Sequence, residues 1–515
     1  MTHRKDNLLL GCAAAVGAVV LVQAARLLLR KYVATKGRDS DVEDNRKRRM
    51  GILENQSSTV NLDELAESLH SRSANQAWTT LGLEQPLVIA TVGLPARGKS
   101  FISQMIIRYL KWTGFECELF NVGSHRRKIG LQSADSSFFD FGNAKAKQVR
   151  EDMALSVQND MYIWLHESAL KRRVAIFDAT NTTKDRRKEL ARRARSENVY
   201  LLFVESICDD QNVLRRNYEL KLQNDDYKGM DPEKALADFI ARVVAYEKQY
   251  EIIEDTEIDS NISYIKLINV GQKVIARNCS GYLPSQISFY LQNIHINPRK
   301  IFLCLTAETL KERTWLSGGS DASTSVDAAT LLSGELTPAG QIFSLNIAKF
   351  LQSEQETMKD VGKEILVLTG TSREQGESTL THLRILFYVH CTPLLNELRA
   401  GDLHGLSKAE IKTKYPIEYE MRERDKLNYR YPGSGESYFD VIERLRPIII
   451  ELERQRKSVL IVCDLAVLRC ITSYFQNTEL KDIPFKQFEK HHVYELEIGA
   501  FGSTLRDHDL LKLDI

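Results

Sequence analysis

Fourteen residues constrain this chain more than any others: Leu87-Val88-Ile89-Ala90-Thr91-Val92-Gly93-Leu94-Pro95-Ala96-Arg97-Gly98-Lys99-Ser100. An apolar run the length of one buried strand enters Gly-x-x-x-x-Gly-Lys-Ser, and a helical pattern beginning Phe101-Ile102-Ser103-Gln104-Met105-Ile106 leaves it. Strand, glycine loop and helix in that order are the context a phosphate-binding P-loop needs. Gly93 and Gly98 let backbone N–H groups turn toward phosphate oxygens, and the helix N-terminus adds partial positive charge. Lys99 is placed to reach β/γ-phosphates and Ser100 to hold Mg²⁺.

At 515 residues, the chain has room for two domains of ordinary size. A formal net charge of +1 gives no bulk attraction for nucleic acid, so none is expected as a partner. The eight cysteines are scattered without a Cys-x-x-Cys pair, which argues against zinc or a redox dithiol and for a reducing, cytosol-facing compartment. The anomaly is the start. Leu8 to Ala25 is an apolar run interrupted by Gly11, Gly17 and Gln23, with His3, Arg4 and Lys5 before it and Arg26, Arg30 and Lys31 after it. It just reaches bilayer-spanning length, and the charge balance places the bulk of the chain in the cytosol. Residues 8–29 therefore read as a transmembrane anchor within an N-terminal segment 1–34. The alternatives are a processed targeting peptide or a helix docked on the fold.

Residues 35–85 form a polar linker and short helical lead-in, charge-dense around Arg46-Lys47-Arg48-Arg49. From Pro86 onward, strands alternate with helices: strands at Leu87–Val92, Glu118–Val122, Val174–Phe177 and Tyr200–Glu205, and helices after Lys99, from Asn143 to about Leu170, near Lys184–Ser196, Asp210–Gln223 and Pro232–Tyr250. That rhythm predicts a mainly parallel sheet covered on both faces. Within it, Val174-Ala175-Ile176-Phe177-Asp178 puts a carboxylate at the carboxyl edge of a buried strand beside the P-loop, where Mg²⁺ and a substrate hydroxyl would meet. A strand-end Asp that merely caps the next helix is the bland alternative. The run Ala179-Thr180-Asn181-Thr182-Thr183-Lys184-Asp185-Arg186-Arg187 favours the first reading, because hydroxyls and guanidiniums suit an anionic sugar phosphate. Arg126-Arg127 after Asn121-Val122-Gly123 adds donors at another strand end.

Gly93–Ser100, Phe120-Asn121-Val122-Gly123, Phe177-Asp178-Ala179-Thr180-Asn181-Thr182-Thr183, Glu205-Ser206-Ile207-Cys208-Asp209 and Asp226-Tyr227 together closely resemble the 6-phosphofructo-2-kinase/fructose-2,6-bisphosphatase family, from about Pro86 to the end. The resemblance implies a P-loop kinase domain, 86–298, that transfers the γ-phosphoryl of ATP to the 2-hydroxyl of fructose 6-phosphate. It also implies a homodimer. Carried over by position, Gly93 to Ser100 would hold ATP and Ser100 and Asp178 the metal, with Lys99, Asp178, Cys208 and Lys221 as catalytic positions. Asn217 and Lys221 match the nucleotide side, Lys221 placed to neutralise transition-state charge. Arg126 or Arg127, Arg150, Thr180, Arg186, Arg242 and Tyr246 match positions that hold the sugar phosphate. One departure stands out. The family usually has an Asp shortly after its Phe-Phe pair, whereas Phe138-Phe139-Asp140-Phe141-Gly142-Asn143 puts Gly142 there and Asp140 two residues earlier.

After a strand at Tyr264–Ile268 and a helical connector around Pro284–Ile296, a second α/β pattern, 299–515, resembles the histidine-phosphatase fold. Where the family reads Leu-Cys-Arg-His-Gly-Glu, this chain reads Leu303-Cys304-Leu305-Thr306-Ala307-Glu308, so Thr306 replaces the nucleophile. Ile-Cys-His-Gln has become Val462-Cys463-Asp464-Leu465. If Thr369-Gly370 stands for a family Thr-Ser pair, the next Arg falls at Glu374, and further family polar positions fall near Glu312, Thr314 and Leu316. Ser317–Gly334 lengthens the loop over the site. Threonine cannot form a phosphohistidine, so the resemblance implies a degenerate phosphatase without bisphosphatase activity. Glu397, Arg422, Lys426, Tyr438 and Arg469 survive at substrate-facing positions, retained either for folding or to bind a sugar phosphate without cleaving it. Two readings of the whole follow. One is a kinase that makes fructose 2,6-bisphosphate. The other is a weak or silent regulatory protein that senses ATP or sugar phosphate, or a kinase for another phosphorylated sugar.

Overall fold

The computed structural model describes residues 85–512 apart from 131–135, 141, 168–172, 258–261, 297–298, 317–333, 358–363, 372–377 and 500–501. The expected anchor and linker therefore lie outside the described residues, as do Glu374, nearly all of the 317–334 loop and the side chains of Thr314 and Leu316. Among the described residues, no helix is long and apolar enough to cross a membrane.

The first sheet has the strand order β2-β3-β1-β4-β5-β6, from β1 (Leu87–Val92), β2 (Glu116–Asn121), β3 (Arg173–Asp178), β4 (Tyr200–Ile207), β5 (Ser263–Ile268) and β6 (Lys273–Arg277). All neighbours are parallel except β5 and β6. β1 and β3 are buried at every position, as expected for central strands with helices on both faces, and this is why they read as mostly apolar runs. The helices are α1 (Lys99–Trp112), α2 (Val122–Lys128), α3 (Ala144–His166), α4 (Lys184–Ser196), α5 (Gln211–Leu222) and α6 (Pro232–Glu247). Asn143 caps α3 by accepting from the Ala146 N–H. Two elements escape the sequence pattern. Helix α2, which carries Arg126 and Arg127, is only seven residues long and is nucleated by the Asn121 side chain accepting from the Ser124 N–H. Strand β6 is a mostly exposed antiparallel edge with no apolar alternation.

Helix α7 (Tyr282–Asn293) leads into the second sheet, ordered β12-β11-β7-β10-β8-β9. Its strands are β7 (Lys300–Leu305), β8 (Ile365–Thr369), β9 (Val389–Cys391), β10 (Ser458–Cys463), β11 (His492–Gly499) and β12 (Gly502–Asp509). The four strands β7, β10, β8 and β9 run parallel, while β11 pairs antiparallel with both its neighbours. Around the sheet lie α8 (Leu310–Leu316), α9 (Pro338–Thr357), α10 (Pro416–Arg424), α11 (Tyr438–Arg454) and α12 (Leu465–Phe475).

The two halves are joined by polar contacts buried as deeply as either core. Trp112, at the end of α1, donates its indole N–H to the Cys470 carbonyl of α12 at 2.9 Å. Arg108 of α1 and Arg299 reach the two oxygens of Glu453 at 2.5 and 3.0 Å, and the Tyr474 hydroxyl donates to the same carboxylate at 2.7 Å. Tyr109 stacks on Tyr290 with centroids 4.4 Å apart. Burial alone would raise the Glu453 carboxyl, but the two guanidiniums outweigh it and hold it below its ordinary value. Removing the carboxylate would leave two buried cations unpaired, a change that typically costs several kcal/mol. Glu453→Gln should therefore lower unfolding free energy by about 3–5 kcal/mol in urea titrations. A loss below about 1 kcal/mol would show the cluster to be incidental.

Candidate active site

The P-loop is built where the carboxyl ends of β1, β3 and β4 converge. Gly93 has φ 134°, and a Cβ there would fall 2.5 Å from the Ser206 carbonyl oxygen of β4, so only glycine fits. Its N–H donates to the Thr180 carbonyl at 3.0 Å, tying the loop to the segment after β3. Gly98 sits in the left-handed region at the N-cap of α1 without a side-chain cap, leaving first-turn N–H donors for an anion. The Ser206 hydroxyl holds the Arg97 carbonyl, and the Asn217 amide donates to the Ala96 carbonyl at 2.9 Å. Arg97 is turned outward to Tyr218 and Glu247.

A cavity of about 1330 Å³ opens in front of this loop, and every residue expected at the nucleotide, catalytic or acceptor positions lines it except Gly93 and Leu94. Asp178 is 4% exposed and held at both oxygens: Thr91 donates to one at 3.1 Å and the Asn121 amide to the other at 2.6 Å. Neither residue was assigned this role from sequence. The signal is there, however, in the polar residue that interrupts the apolar β1 run and in the asparagine that ends β2 in register with Asp178. The Lys99 ammonium donates to the Leu94 carbonyl at 2.6 Å. Burial pulls it down to about 7, against the opposing pull of Asp178. Burial lowers Lys221 in the same way. Burial raises the Cys208 thiol, so it stays protonated on the cavity wall rather than acting as a nucleophile.

The acceptor end holds two groups of guanidiniums. Arg126, Arg127 and Arg242 converge on Asp226. Arg150 and Arg186 lie near Tyr246, with Arg186 donating to the Asn181 side chain at 3.1 Å and Arg150 to the Phe138 carbonyl. Thr180 and Thr182 sit on a loop pinned by the fully buried Arg187, which donates to the Asn181 and Thr182 carbonyls and pairs with Glu257. Phe139 supplies a flat wall, with the Arg242 guanidinium 3.8 Å from its centroid. Asp140 and Gly142 both lie outside the cavity lining, and the Asp140 carboxylate accepts from the Gly142 N–H at 3.0 Å.

In the second sheet, Thr306 and Asp464 are brought together, the hydroxyl 3.4 Å from the carboxylate. Lys490 donates to the Thr306 carbonyl at 2.9 Å and pairs with Glu312 at 3.2 Å. Burial, reinforced by Glu397, pushes Asp464 up to about 7, and burial likewise raises Glu397 beside Glu312. The retained basic residues are engaged within the second half. Arg422 and Lys426 both pair with Glu423, while Arg469 donates to the Tyr438 hydroxyl at 2.8 Å and to the Lys486 carbonyl at 2.6 Å.

A P-loop facing a strand-end carboxylate and an arginine-lined cavity, followed by a second sheet of phosphatase type, defines a two-part phosphotransferase architecture. The chain belongs to the 6-phosphofructo-2-kinase/fructose-2,6-bisphosphatase family. The 6-phosphofructo-2-kinase family matches residues 74–298, and the histidine phosphatase superfamily (branch 1) residues 378–509. It is 40% identical to 6-phosphofructo-2-kinase 1 of Saccharomyces cerevisiae over 428 residues, 81% of this chain but only 51% of that protein, so it spans about half the length of that relative. It is 37% identical to the 6-phosphofructo-2-kinase/fructose-2,6-bisphosphatase of Caenorhabditis elegans over 82% of this chain and 90% of that protein. To a probable 6-phosphofructo-2-kinase of Schizosaccharomyces pombe it is 35% identical, over 85% and 71%.

A bound triphosphate favours the charged form of Lys99, whose ordinary ammonium burial has brought down to about 7. Nucleotide binding above that pH should take up a proton, and affinity should fall as pH rises through 7 and beyond. Calorimetry in buffers of different ionisation enthalpy measures the uptake, which Lys99→Met should abolish. A heat independent of buffer would contradict the assignment.

Proposed function

We propose that this chain transfers the γ-phosphoryl of ATP to the 2-hydroxyl of fructose 6-phosphate, making fructose 2,6-bisphosphate, and that it does not hydrolyse that product. The observation that carries the first part is the position of Asp178, fixed at both oxygens between Lys99, Lys221 and the arginine clusters within one cavity. In this reading α1 and Lys99 seat the phosphates. The acceptor phosphate is held by Arg126, Arg127, Arg150, Arg186 and Arg242, with Thr180 and Tyr246 on the sugar. The 2-hydroxyl oxygen bonds to the γ-phosphorus as the bond to the β,γ-bridging oxygen breaks, and the hydroxyl proton passes to Asp178. Lys99 and Lys221 meet the charge spread over the transferring oxygens, so catalysis is mainly positioning and charge stabilisation.

Mg²⁺ fits the donors present. The Ser100 hydroxyl and Asp178 carboxylate are hard oxygen ligands, and among the described residues no group of three His, Cys, Asp or Glu could hold a metal alone. That is the pattern of an ion bound through one or two protein oxygens plus substrate phosphates, where it would neutralise phosphate charge. We propose further that the two functions divide at residues 298 and 299, that the chain works as a homodimer in the cytosol, and that residues 8–29 tether it to a membrane.

The loss of hydrolysis is argued from charge. A phosphate arriving at Thr306 would meet Asp464, Glu397 and Glu312, with Lys490 already committed to Glu312. The second reading, a silent sensor of ATP or sugar phosphate, is favoured by Gly142, which stands where the resemblance expects an acid. A coupled assay decides between them. Wild type should form fructose 2,6-bisphosphate, and Lys99→Met should be slower by about a hundredfold or more. Absence of product from wild type, with ATP still raising its melting temperature, selects the sensor. Incubated with fructose 2,6-bisphosphate, the protein should release no phosphate above the spontaneous rate; release at a rate comparable to the kinase turnover would overturn that half of the proposal.

A further inference from the structure

One buried carboxylate in the cavity has no part in the chemistry just described. Asp226 lies in the loop between α5 and α6, its side chain 9% exposed. Its Oδ2 is 2.5 Å from Arg126 Nη2, 3.8 Å from Arg127 Nη1 and 3.7 Å from Arg242 Nη1. Two of these arginines come from α2 and the third from α6, so cations carried by separate elements meet at a single oxygen. The other oxygen, Oδ1, is buried and has no hydrogen-bond partner among the described residues. A carboxylate that served only to fasten two helices would be expected to use both oxygens, as Glu257 does with Arg187 and Glu453 does with its two arginines.

Three guanidiniums this close repel one another, and without an anion between them they would splay. Ring contacts confine two of them further: Arg242 lies over Phe139 at 3.8 Å and Arg126 over the same ring at 5.5 Å. Within this cluster the carboxylate offsets one of three positive charges and leaves the remainder for an anion.

We propose that Asp226 is a positioning residue. It gathers Arg126, Arg127 and Arg242 into one cluster before the sugar phosphate arrives. The inference rests on reading this end of the cavity as the fructose 6-phosphate site. It is distinct from a general packing role, because among the described residues Asp226 contacts neither the P-loop nor Asp178 and reaches the nucleotide side only through its charge near Lys221, so its effect should fall chiefly on one substrate.

The test is steady-state kinetics of the full-length protein with Asp226→Asn and Asp226→Glu, varying each substrate in turn. Asp226→Asn should raise KM for fructose 6-phosphate by about tenfold or more while kcat and KM for ATP stay within about twofold. Asp226→Glu, which keeps the charge, should recover most of the loss. An unchanged or lowered KM for fructose 6-phosphate in Asp226→Asn overturns the proposal, since the carboxylate would then only compete with the substrate. A parallel fall in kcat, ATP affinity and melting temperature also overturns it, as does failure of the glutamate to rescue. If the wild type itself shows no activity with fructose 6-phosphate, the functional reading falls and this inference with it; an active wild type with an unaffected Asp226→Asn refutes the inference alone.

Discussion

The near-contact of Gly93 with the end of β4 is the constraint on which the rest of the site depends. With 2.5 Å between an imagined Cβ and the Ser206 carbonyl, the β1 strand can turn out of the sheet only at a residue without a side chain. The same turn lets the Gly93 N–H reach the Thr180 carbonyl, which brings the loop after β3 against the P-loop. Asp178 is thereby fixed beside the first turn of α1, and Thr91, two residues before Gly93, can hold it. A donor cradle, a carboxylate and an acceptor loop are thus placed by backbone geometry before any ligand enters. Preorganisation of this kind is what phosphoryl transfer demands of a protein.

Charge distinguishes the two halves more sharply than fold does. The first cavity concentrates buried cations, and the cost appears in Lys99 and Lys221, both pulled below their ordinary values by burial. In the second half the equivalent sheet edge concentrates carboxylates, and the cost appears in Asp464 and Glu397, both raised. One site is poised to gain an anion; at the other, burial and neighbouring carboxylates favour the protonated acids.

Much of this was legible in the sequence because buried parallel strands read as mostly apolar runs without alternation. β1 and β3 were evident for that reason, and with them the positions of Lys99, Ser100 and Asp178. The substitutions at Thr306 and Asp464 were equally plain, since each stands where a resembling family has a histidine. What stayed hidden depended on contacts between segments distant in the chain. Asn121 looks like a turn residue until its register with Asp178 is known, and Asp226 like a surface acid until α2 and α6 bring their arginines to it. Helix α2 was too short for a periodic signal, and β6 too exposed. Whether Asp140 could replace the acid missing at Gly142 also had to await geometry: its carboxylate turns back on its own loop.

The contact between α1 and α12 bears on how such a chain can change over time. α1 begins at the phosphate cradle and α12 begins at Asp464, and the two meet through Trp112 and Cys470 far from either N-terminus. Residues at the sheet edge of the second half can be replaced one at a time at little structural cost, because they hang from strand ends. The half itself cannot be discarded so easily. Cutting it away would strip the cover from Tyr109 and Trp112 and strand Arg108 without its carboxylate, so selection would keep this half as a piece of its neighbour's interior whatever chemistry its own sheet edge performs.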